Sequence, residues 1–554
     1  MGRGPGPPRA SRNARFVVTL EGEPDGRSAA LSDRYDAIVI GSGIGGLTCA
    51  SLLARLRGKR VLVLERHYRL GGFMQGFRRG AFSWDIGLHY VGQMSPGDPL
   101  RALMDFITAG SVRWLPISSP FERYRFPELT FAQPAGREAY EEALKACWPN
   151  EADAIARYFV RVGEAYEWFA DRFLARAGAD IDRPRAGAGN RHRDLALATT
   201  ARVFDDCGLA SPRLRSVLAA QWGDYGLPPA SSAFVAHAIV VAHYLEGGFV
   251  PEGGASAIPA SVKRVIGAAG GACLTSHTVE EILVREGRVH GVRVRTPGRA
   301  AETHEVTAPL IISDAGMRVT CEQLLHNHPE AIAPLRGRLG RMSEGTSVVQ
   351  LFLALDRSPE ALGFDGANDW MFDSLDHDDV YAHRNELATG HASTAYLSFP
   401  SLRLGSAETH TAEIIAPLDH AAWAPWLDTN WKRRGDAYND AKQRVTDALL
   451  RFVDRFHPGF SGLVQYAELG TPLSVQHFTA QPAGAVYGLP SSPERYAVMC
   501  DAGVATPIEG LLLTGSDVAT HGIVGAMLGG AVTAGHVLGA GGFQRIMAAV
   551  RAAR

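Results

Sequence analysis

The chain has 554 residues, of which 46% are hydrophobic and 21% charged, and its formal net charge is −2 at pH 7. A chain of this length and composition can bury a large core and divide into more than one domain. Because a nearly neutral chain has no general attraction for polyanions, we expect no nucleic-acid partner.

The first 34 residues are rich in Arg, Gly and Pro and contain no apolar stretch of the kind found in secretory signals. We therefore expect a flexible tail over 1–34. The six cysteines are scattered, without a CxxC pair or a metal-ligand spacing, which predicts neither disulfides nor a metal site. These features together favour a cytoplasmic location.

A nucleotide-binding motif follows, in the sequence YDAIVIGSGIGGLTCASLLARLRGKRVLVLE. Its pattern predicts a buried strand, a GxGxxG turn, a helix and a second strand ending in Glu65. The glycines allow a tight turn and close approach of the backbone to a pyrophosphate, which lies at the helix N-terminus. The Glu65 carboxylate suits the adenosine ribose and repels a 2′-phosphate, so the motif favours FAD or NAD over NADP. The residues expected at the cofactor here are Gly41, Ser42, Gly43, Gly45, Gly46 and Glu65.

The next segment, RHYRLGG at 66–72, decides between these cofactors. With Glu65 it resembles the E-x-x-x-R-x-G-G signature of a large FAD family that contains amine oxidases, phytoene desaturases and retinol saturases. The resemblance implies FAD, with this segment against the pyrophosphate and ribityl chain. The residues concerned are Arg66, Arg69, Gly71 and Gly72.

Two later segments are similar to other parts of the same family's FAD site. GLLLTGSDVATHGIVGAMLGG, near the C-terminus, resembles the closing FAD motif. By that resemblance Asp517 meets the ribityl hydroxyls, and the N–H groups of Ile523 and Val524 face the pyrimidine edge of the flavin. In the segment GGACLTSHTVEEILV, the resemblance implies that the backbone of Val279 contacts the adenine.

The stretches FSWDIGLHYVGQM and ELGTPLSVQHFTAQPAGAVYGL resemble the retinol saturase branch, whose nearest relatives are carotenoid cis–trans isomerases and phytoene desaturases. The resemblance implies that Gly87 lets the backbone approach the isoalloxazine and that His89 and Tyr90 lie near its reactive face. Either side chain could supply a proton, or both could only pack beside the flavin. Phe73-Met74-Gln75 replaces the Cys- and His-containing run of that branch, which argues against retinol itself as the substrate.

The family resemblance predicts an α/β architecture like that of amine oxidases and phytoene desaturases. A discontinuous Rossmann-like FAD-binding domain would comprise 35–115, 251–318 and 481–554. An interleaved α+β substrate domain would comprise 116–250 and 319–480.

The function that this architecture implies is FAD-dependent oxidoreduction of carbon–carbon double bonds in an apolar polyene or isoprenoid lipid, by hydride exchange with flavin N5. Because the chain has no second GxGxxG, the electron donor or acceptor is expected to be external. A substrate dissolved in the bilayer would favour peripheral contact with the inner face of a membrane through an apolar helix. The apolar run 522–539 contains a histidine and several glycines, so we expect a buried helix rather than a membrane span.

Three alternatives share the architecture. A redox-neutral carotenoid-type isomerase would use the same geometry. Many members of the amine oxidase branch keep a lysine bridged by water to flavin N5, but here Lys59 is expected in a loop, and Lys263 and Lys442 in surface helices. A non-enzymatic lipid-binding chaperone would not need the complete set of FAD motifs.

Overall fold

The computed structural model describes residues 34–176, 192–298, 302–405 and 408–553. Apart from Arg34, the predicted tail at 1–34 lies outside the described residues. Two sheets of different construction dominate the described chain, and the candidate site lies between them.

The first sheet consists of five parallel strands. In spatial order they are Leu511–Leu513, Ile311–Ser313, Ala37–Ile40, Val61–Leu64 and Ala272–Leu274. Every strand is short and almost wholly buried, as expected when helices cover both faces of a parallel sheet. All three segments predicted for the nucleotide-binding domain supply strands to this sheet, while the exact boundaries of that domain stay a prediction.

Helices and smaller sheets complete this half of the molecule. The helices are Pro99–Ile107, Ala257–Ala268, Gly542–Ala552 and, packed against one another, Ile44–Arg57 and Gly522–Leu538. A three-stranded antiparallel sheet contains Thr278–Arg285, Arg288–Arg295 and Thr303–Thr307. Short antiparallel pairs join Gly76–Arg79 to Phe82–Asp85 and Trp114–Pro116 to Phe249–Pro251.

The second large sheet has seven strands and is antiparallel except for one parallel pair, formed by its fifth and sixth members. Its spatial order is Val464–Gly470, Val348–Leu355, His410–Pro417, Thr394–Ser398, Asn368–Phe372, Glu122–Phe126 and Leu129–Gln133. Side chains alternate between its faces. Leu351 and Leu353 therefore enter the core beneath the helix Asp436–Phe456, whereas Gln350 and Phe352 face the cavity described below.

A layer of helices forms a further core with this sheet. Its members are Arg137–Cys147, Ala152–Arg176, Arg193–Leu197, Thr200–Asp206, Pro212–Ala219 and Phe234–Tyr244. The other helices are Met317–Val319, Ala333–Leu339, His377–Ala382, Pro400–Arg403, Pro472–Thr479 and Pro493–Ala502, with short 3₁₀ or π segments at several connections.

The apolar run near the C-terminus forms a largely buried helix, as predicted, over Gly522–Leu538. A Cβ atom at Gly530 would lie 2.3 Å from the carbonyl oxygen of Gly45, so the helices can approach only because the side chain is absent. In the described part of the chain, no single helix has both the length and the apolarity needed to cross a membrane. Gly522–Leu538 and Gly542–Ala552 meet that requirement only as a pair, which is bent by 114°.

Candidate active site

The glycine-rich turn brings three chain segments together beneath a helix N-terminus. Gly41 has a φ of +94°, a turn conformation that an L side chain rarely adopts. A Cβ atom at Gly43 would lie 2.5 Å from Oδ2 of Asp314, and one at Gly45 would lie 2.4 Å from the Cα of Gly515. The turn is therefore specified by close packing against Asp314 and Gly515.

Glu65 follows the second strand and is only 7% exposed. Its Oε2 accepts hydrogen bonds from the backbone N–H and the hydroxyl of Ser42, at 3.0 and 2.6 Å, and its Oε1 accepts one from the N–H of His67 at 2.8 Å. Burial raises the pKa of Glu65, and these hydrogen bonds oppose that shift. The Ser42 hydroxyl in turn accepts from the N–H of Gly71 at 2.9 Å, so the turn and the double glycine are held together.

Asp517 lies between the strand Leu511–Leu513 of the parallel sheet and the helix Gly522–Leu538. Its Oδ2 accepts a hydrogen bond from the N–H of Met317 at 2.8 Å, and its Oδ1 accepts one from the N–H of Leu489 at 3.3 Å. Asp517 lines the same cavity as Gly522 and Ile523, which begin the helix Gly522–Leu538. The partial positive charge of a helix N-terminus favours an anionic group.

One cavity of about 970 Å³ joins these elements to the seven-stranded sheet. Among the predicted cofactor residues, those of the first motif that line it are Gly41, Ser42, Gly43, Gly45, Glu65 and Arg66. The later ones that line it are Gly71, Gly72, Val279, Asp517 and Ile523. His89 and Tyr90 line it as well.

Three predicted cofactor residues do not line the cavity. Gly46 packs behind the turn, where a Cβ atom would lie 2.7 Å from the carbonyl oxygen of Gly41. Arg69 donates a hydrogen bond to the carbonyl oxygen of Gly76 at 2.5 Å, and Val524 is 7% exposed. These residues therefore support the walls, and direct contact with a cofactor stays a prediction for each.

The half of the cavity beside the seven-stranded sheet is mainly apolar and aromatic. Its walls include Val348, Phe352, Trp370, Phe372, Tyr396 and Ile415. Such a chamber can hold an elongated apolar molecule through desolvation, with few polar contacts to fix its orientation.

The His89 side chain is turned towards a buried acid. Its Nδ1 lies 2.7 Å from Oε2 of Glu413, which is fully buried. The backbone carbonyl oxygen of His89 accepts a hydrogen bond from Arg403 at 3.0 Å. His89 also lines a small second cavity together with Asp85, whose pKa is raised to about 7, mainly by burial. His89 therefore joins the main cavity to a second group of ionisable side chains.

Tyr90 makes different contacts from its neighbour. Its hydroxyl donates to Oδ2 of Asp224 at 2.8 Å and accepts from Nε2 of Gln221 at 3.3 Å, while its ring stacks on Tyr244 with centroids 4.4 Å apart. Asp224 also lines the main cavity, and burial raises its pKa to about 7. The sequence pair His89-Tyr90 thus joins two separate polar clusters.

The glycines flanking this pair have packing roles that the family resemblance did not indicate. A Cβ atom at Gly87 would lie 2.9 Å from the Cβ of Phe73, and one at Gly92 would lie 1.8 Å from the carbonyl oxygen of His243. Gly87 lines the cavity too, so its predicted approach to a flavin stays a prediction.

The expectation that Lys442 occupies a surface helix is wrong in one respect. It lies on Asp436–Phe456, but it is half-buried and lines the cavity. Burial lowers its pKa, as does the neighbouring Arg434, while Glu468 raises it. The amphipathic helix pattern did not reveal that the N-terminal turns of this helix line the cavity. Lys59 lies near the surface, 3.8 Å from Asp36.

The sequence interpretation missed three carboxyl groups of the cavity, those of Asp224, Asp314 and Glu468. Asp314 directly follows the strand Ile311–Ser313. Ligands bind at the ends of strands in a doubly wound sheet, so the sequence could have predicted this residue. Its pKa is raised to about 8, mainly by burial. Asp224 lies in a short 3₁₀ segment, Ala220–Asp224, where no spacing distinguishes it from a surface acid.

The residues 39–107 match the family model described as an NAD(P)-binding Rossmann-like domain. The chain is 32% identical to the all-trans-retinol 13,14-reductase of Danio rerio, over 92% of this chain and 87% of that protein. It is also 32% identical to the enzyme of that name from Homo sapiens, over 91% and 86% of the two chains. Prolycopene isomerase 2 of an Oncidium hybrid cultivar is 23% identical, over 93% and 85%.

Solved structures share the fold at low sequence identity. An oxidoreductase from Methanosarcina mazei is 17% identical with a TM-score of 0.58, covering 89% of this chain and 98% of that one. A putrescine oxidase bound to putrescine is 14% identical with a TM-score of 0.58, covering 91% and 99%. The predicted α/β architecture, with a Rossmann-like domain of the amine oxidase type, is therefore confirmed.

Proposed function

The chain belongs to the family of the all-trans-retinol 13,14-reductases, and we propose that it is an FAD-dependent oxidoreductase acting on carbon–carbon double bonds of an apolar polyene lipid. One observation carries the proposal. A single cavity connects the glycine turn and Glu65 to an apolar, aromatic chamber on the seven-stranded sheet. A dinucleotide at the first end and an elongated lipid at the second would meet within one enclosed volume.

The residues along the cavity fit FAD. The glycines of the turn carry no side chain that would obstruct a pyrophosphate, although the N–H groups of Gly43 and Gly46 donate to the carboxyl of Asp314 in this structure. Glu65 accepts three hydrogen bonds and so retains about one lone pair for a ribose. Asp517 and the N-terminus of Gly522–Leu538 suit the ribityl chain and the pyrimidine edge of a flavin. When bound, the flavin supplies the hydride chemistry, and the chain contributes alignment and exclusion of water.

The substrate half of the cavity favours a polyene over an amine. Trp370, Phe372 and Tyr396 present aromatic surface to it. At the sheet edge, Lys442 and Arg434 also line the cavity, while Glu468 pairs with Arg79 at 2.8 Å. A cationic amine would be repelled at this edge, which lowers the support for an amine oxidase.

Tyr90 and His89 are the sequence-predicted candidates for proton transfer, and the contacts favour a role for the cluster around Tyr90. The His89 Nδ1 atom is directed at Glu413, away from the Tyr90 hydroxyl and its partners. We propose that His89, through its contact with Glu413, holds in place the part of the cavity wall that it forms.

The rim of the cavity favours contact with a membrane surface, but through a loop rather than the expected apolar helix. The apolar helices Phe234–Tyr244 and Gly522–Leu538 are largely buried. Tyr68 and Trp431, each 38% exposed, stand at the rim, with the basic Lys432 beside Trp431. Aromatic and basic side chains together suit the interface of an anionic bilayer, and an apolar substrate could pass from it into the cavity.

The test is anaerobic incubation of the photoreduced protein with panels of retinoids, carotenoids and unsaturated fatty acids, followed by mass spectrometry. A product that has gained two hydrogen atoms supports saturation, and incubation of the oxidised protein tests desaturation by their loss. A colourless protein that binds lipid but no flavin would refute the proposal in favour of a chaperone.

A redox-neutral isomerase is the second candidate, and the similarity to a prolycopene isomerase supports it. An isomerase would change the chromatographic retention of a polyene without changing its mass. Because net reduction consumes an external electron donor and isomerisation does not, the stoichiometry of reductant consumed per product separates the two functions.

A further inference from the structure

Asp224 is a carboxyl group on the chamber wall for which neither the sequence motifs nor the family resemblance indicates a role. It ends the 3₁₀ segment Ala220–Asp224 and is half-buried, with its free surface facing the cavity. Within the described residues, no Lys or Arg lies at ion-pair distance from it. Its direct side-chain contact is the hydroxyl of Tyr90, at 2.8 Å.

The surroundings of Asp224 contain many weakly acidic groups and little positive charge. The titratable side chains that interact with it are Tyr90, Glu122, Tyr124, Tyr225, Tyr244, Tyr396, Tyr487 and His89. Burial raises the pKa of Asp224 to about 7, and the hydrogen bond from Tyr90 and the charge of His89 limit the rise. A large fraction of the carboxyl is therefore protonated near neutral pH, as a general acid requires.

Tyr90 is poorly placed to be that acid itself. Its proton is engaged with Asp224, while its oxygen accepts from Gln221 at 3.3 Å. Burial and the nearby carboxyls raise its pKa well above the ordinary value for tyrosine, which weakens it as a donor. Both contacts instead fix the orientation of the Asp224 carboxyl.

We propose that Asp224 is the general acid of alkene reduction and that Tyr90 and Gln221 are its positioning residues; this role rests on the proposed function. One alkene carbon receives a hydride from the reduced flavin, and the π electron pair forms the second C–H bond with the proton of Asp224. The alkene is reduced by two electrons and the flavin is oxidised. Asp224 is left as a carboxylate, which water reprotonates, and an external two-electron donor restores the reduced flavin.

The experiment compares wild type with Asp224→Asn, Tyr90→Phe and Glu122→Gln in anaerobic single turnovers with a polyene that the wild type reduces. Glu122 is a matched control because its carboxyl is buried nearby, bonded to Asn368 and Trp370, but does not line the cavity. Flavin absorbance and photoreduction are recorded for every variant. Infrared difference spectra against Asp224→Asn test separately whether the wild-type carboxyl is protonated near neutral pH.

We expect Asp224→Asn to retain its flavin and to reduce the alkene at least about 100-fold more slowly, the lower range for loss of a general acid. The wild-type rate should fall as pH rises through about 7. Tyr90→Phe removes a hydrogen bond that lowers the pKa of Asp224 and orients its carboxyl. The fall in rate should therefore move to higher pH, and the rate below that fall should drop by less than in Asp224→Asn. Glu122→Gln should change the rate by only a few-fold.

Two results would overturn the assignment. One is an Asp224→Asn protein with the wild-type rate and pH profile. The other is a Tyr90→Phe protein that loses reduction at every pH while Asp224→Asn keeps it, which would make Tyr90 the donor. A wild-type protein that holds flavin yet reduces no polyene refutes the proposed function, and with it this role. These outcomes are distinguishable because flavin binding and photoreduction are measured independently.

Discussion

Replacing Gly45 by Ala should push the glycine-rich turn away from the chain around Gly515, against which it packs. The added Cβ atom would lie 2.4 Å from the Cα and 2.7 Å from the N of Gly515, and 2.7 Å from Oδ1 of Asp314. Overpacking usually costs about 1–3 kcal/mol, and the backbone of Gly515 together with the carboxyl of Asp314 argues for the upper value. Helix propensity returns roughly 1 kcal/mol, because Gly45 lies in Ile44–Arg57, so the net loss should be about 2 kcal/mol.

Gly163 provides the matched control. It lies inside the helix Ala152–Arg176, and a Cβ atom there meets nothing within 4 Å. Gly163→Ala should therefore stabilise the protein by roughly 0.5–1 kcal/mol. Urea unfolding of both variants, monitored by flavin fluorescence, measures the difference in free energy of unfolding. The amount of flavin bound per protein shows whether the glycine-rich turn still holds the cofactor. Equal stability and equal flavin content in the two variants would refute the packing argument.

Three further predictions concern the cavity and its rim. Glu65→Gln should raise the flavin dissociation constant by roughly 10- to 100-fold, since a charge-assisted hydrogen bond contributes about 1.5–3 kcal/mol. Titration of the apoprotein with FAD measures the dissociation constant, and an unchanged constant would contradict a contact between Glu65 and the ribose. Asp314 has a raised pKa of about 8 in the folded protein, so it should contribute a loss of stability as pH rises from the unfolded value of 3.8 through about 8. Because Asp85 and Asp224 also have raised pKa values, of about 7, Asp314→Asn should show a shallower slope than the wild type in urea unfolding, not the absence of one. An identical slope in both proteins would exclude Asp314 as a contributor. Trp431→Ser with Lys432→Glu should weaken sedimentation with phosphatidylserine-containing vesicles while flavin content is unchanged, and identical sedimentation would argue against the rim as the membrane contact.

Local sequence pattern predicted much of the nucleotide-binding half. The strand–turn–helix around Gly41 and Gly43 and the second strand leading to Glu65 follow from short-range rules about buried strands and glycine turns. The buried C-terminal helix could also be predicted, because its glycines and its histidine distinguish a packed helix from a lipid-exposed one. Each of these features depends on residues close together in the chain.

The polar contacts of the chamber could not be predicted in this way. Tyr90 meets Asp224 across 134 residues of sequence, and His89 meets Glu413 on a strand of the seven-stranded sheet. No spacing rule relates such positions. The expectation that Lys442 lies on a surface helix failed for the same reason. The helix pattern predicts which face is apolar, but not that the Lys442 side chain lines a cavity formed with other parts of the chain.

The amino-acid sequence alone thus determined the type of nucleotide cradle and the family resemblance, because the backbone geometry of a glycine turn is encoded within a few residues. The tertiary structure decided which ionisable groups share the chamber and which are withdrawn from water. That outcome is global, because the pKa of a carboxyl such as Asp224 depends on all the elements that exclude solvent from it.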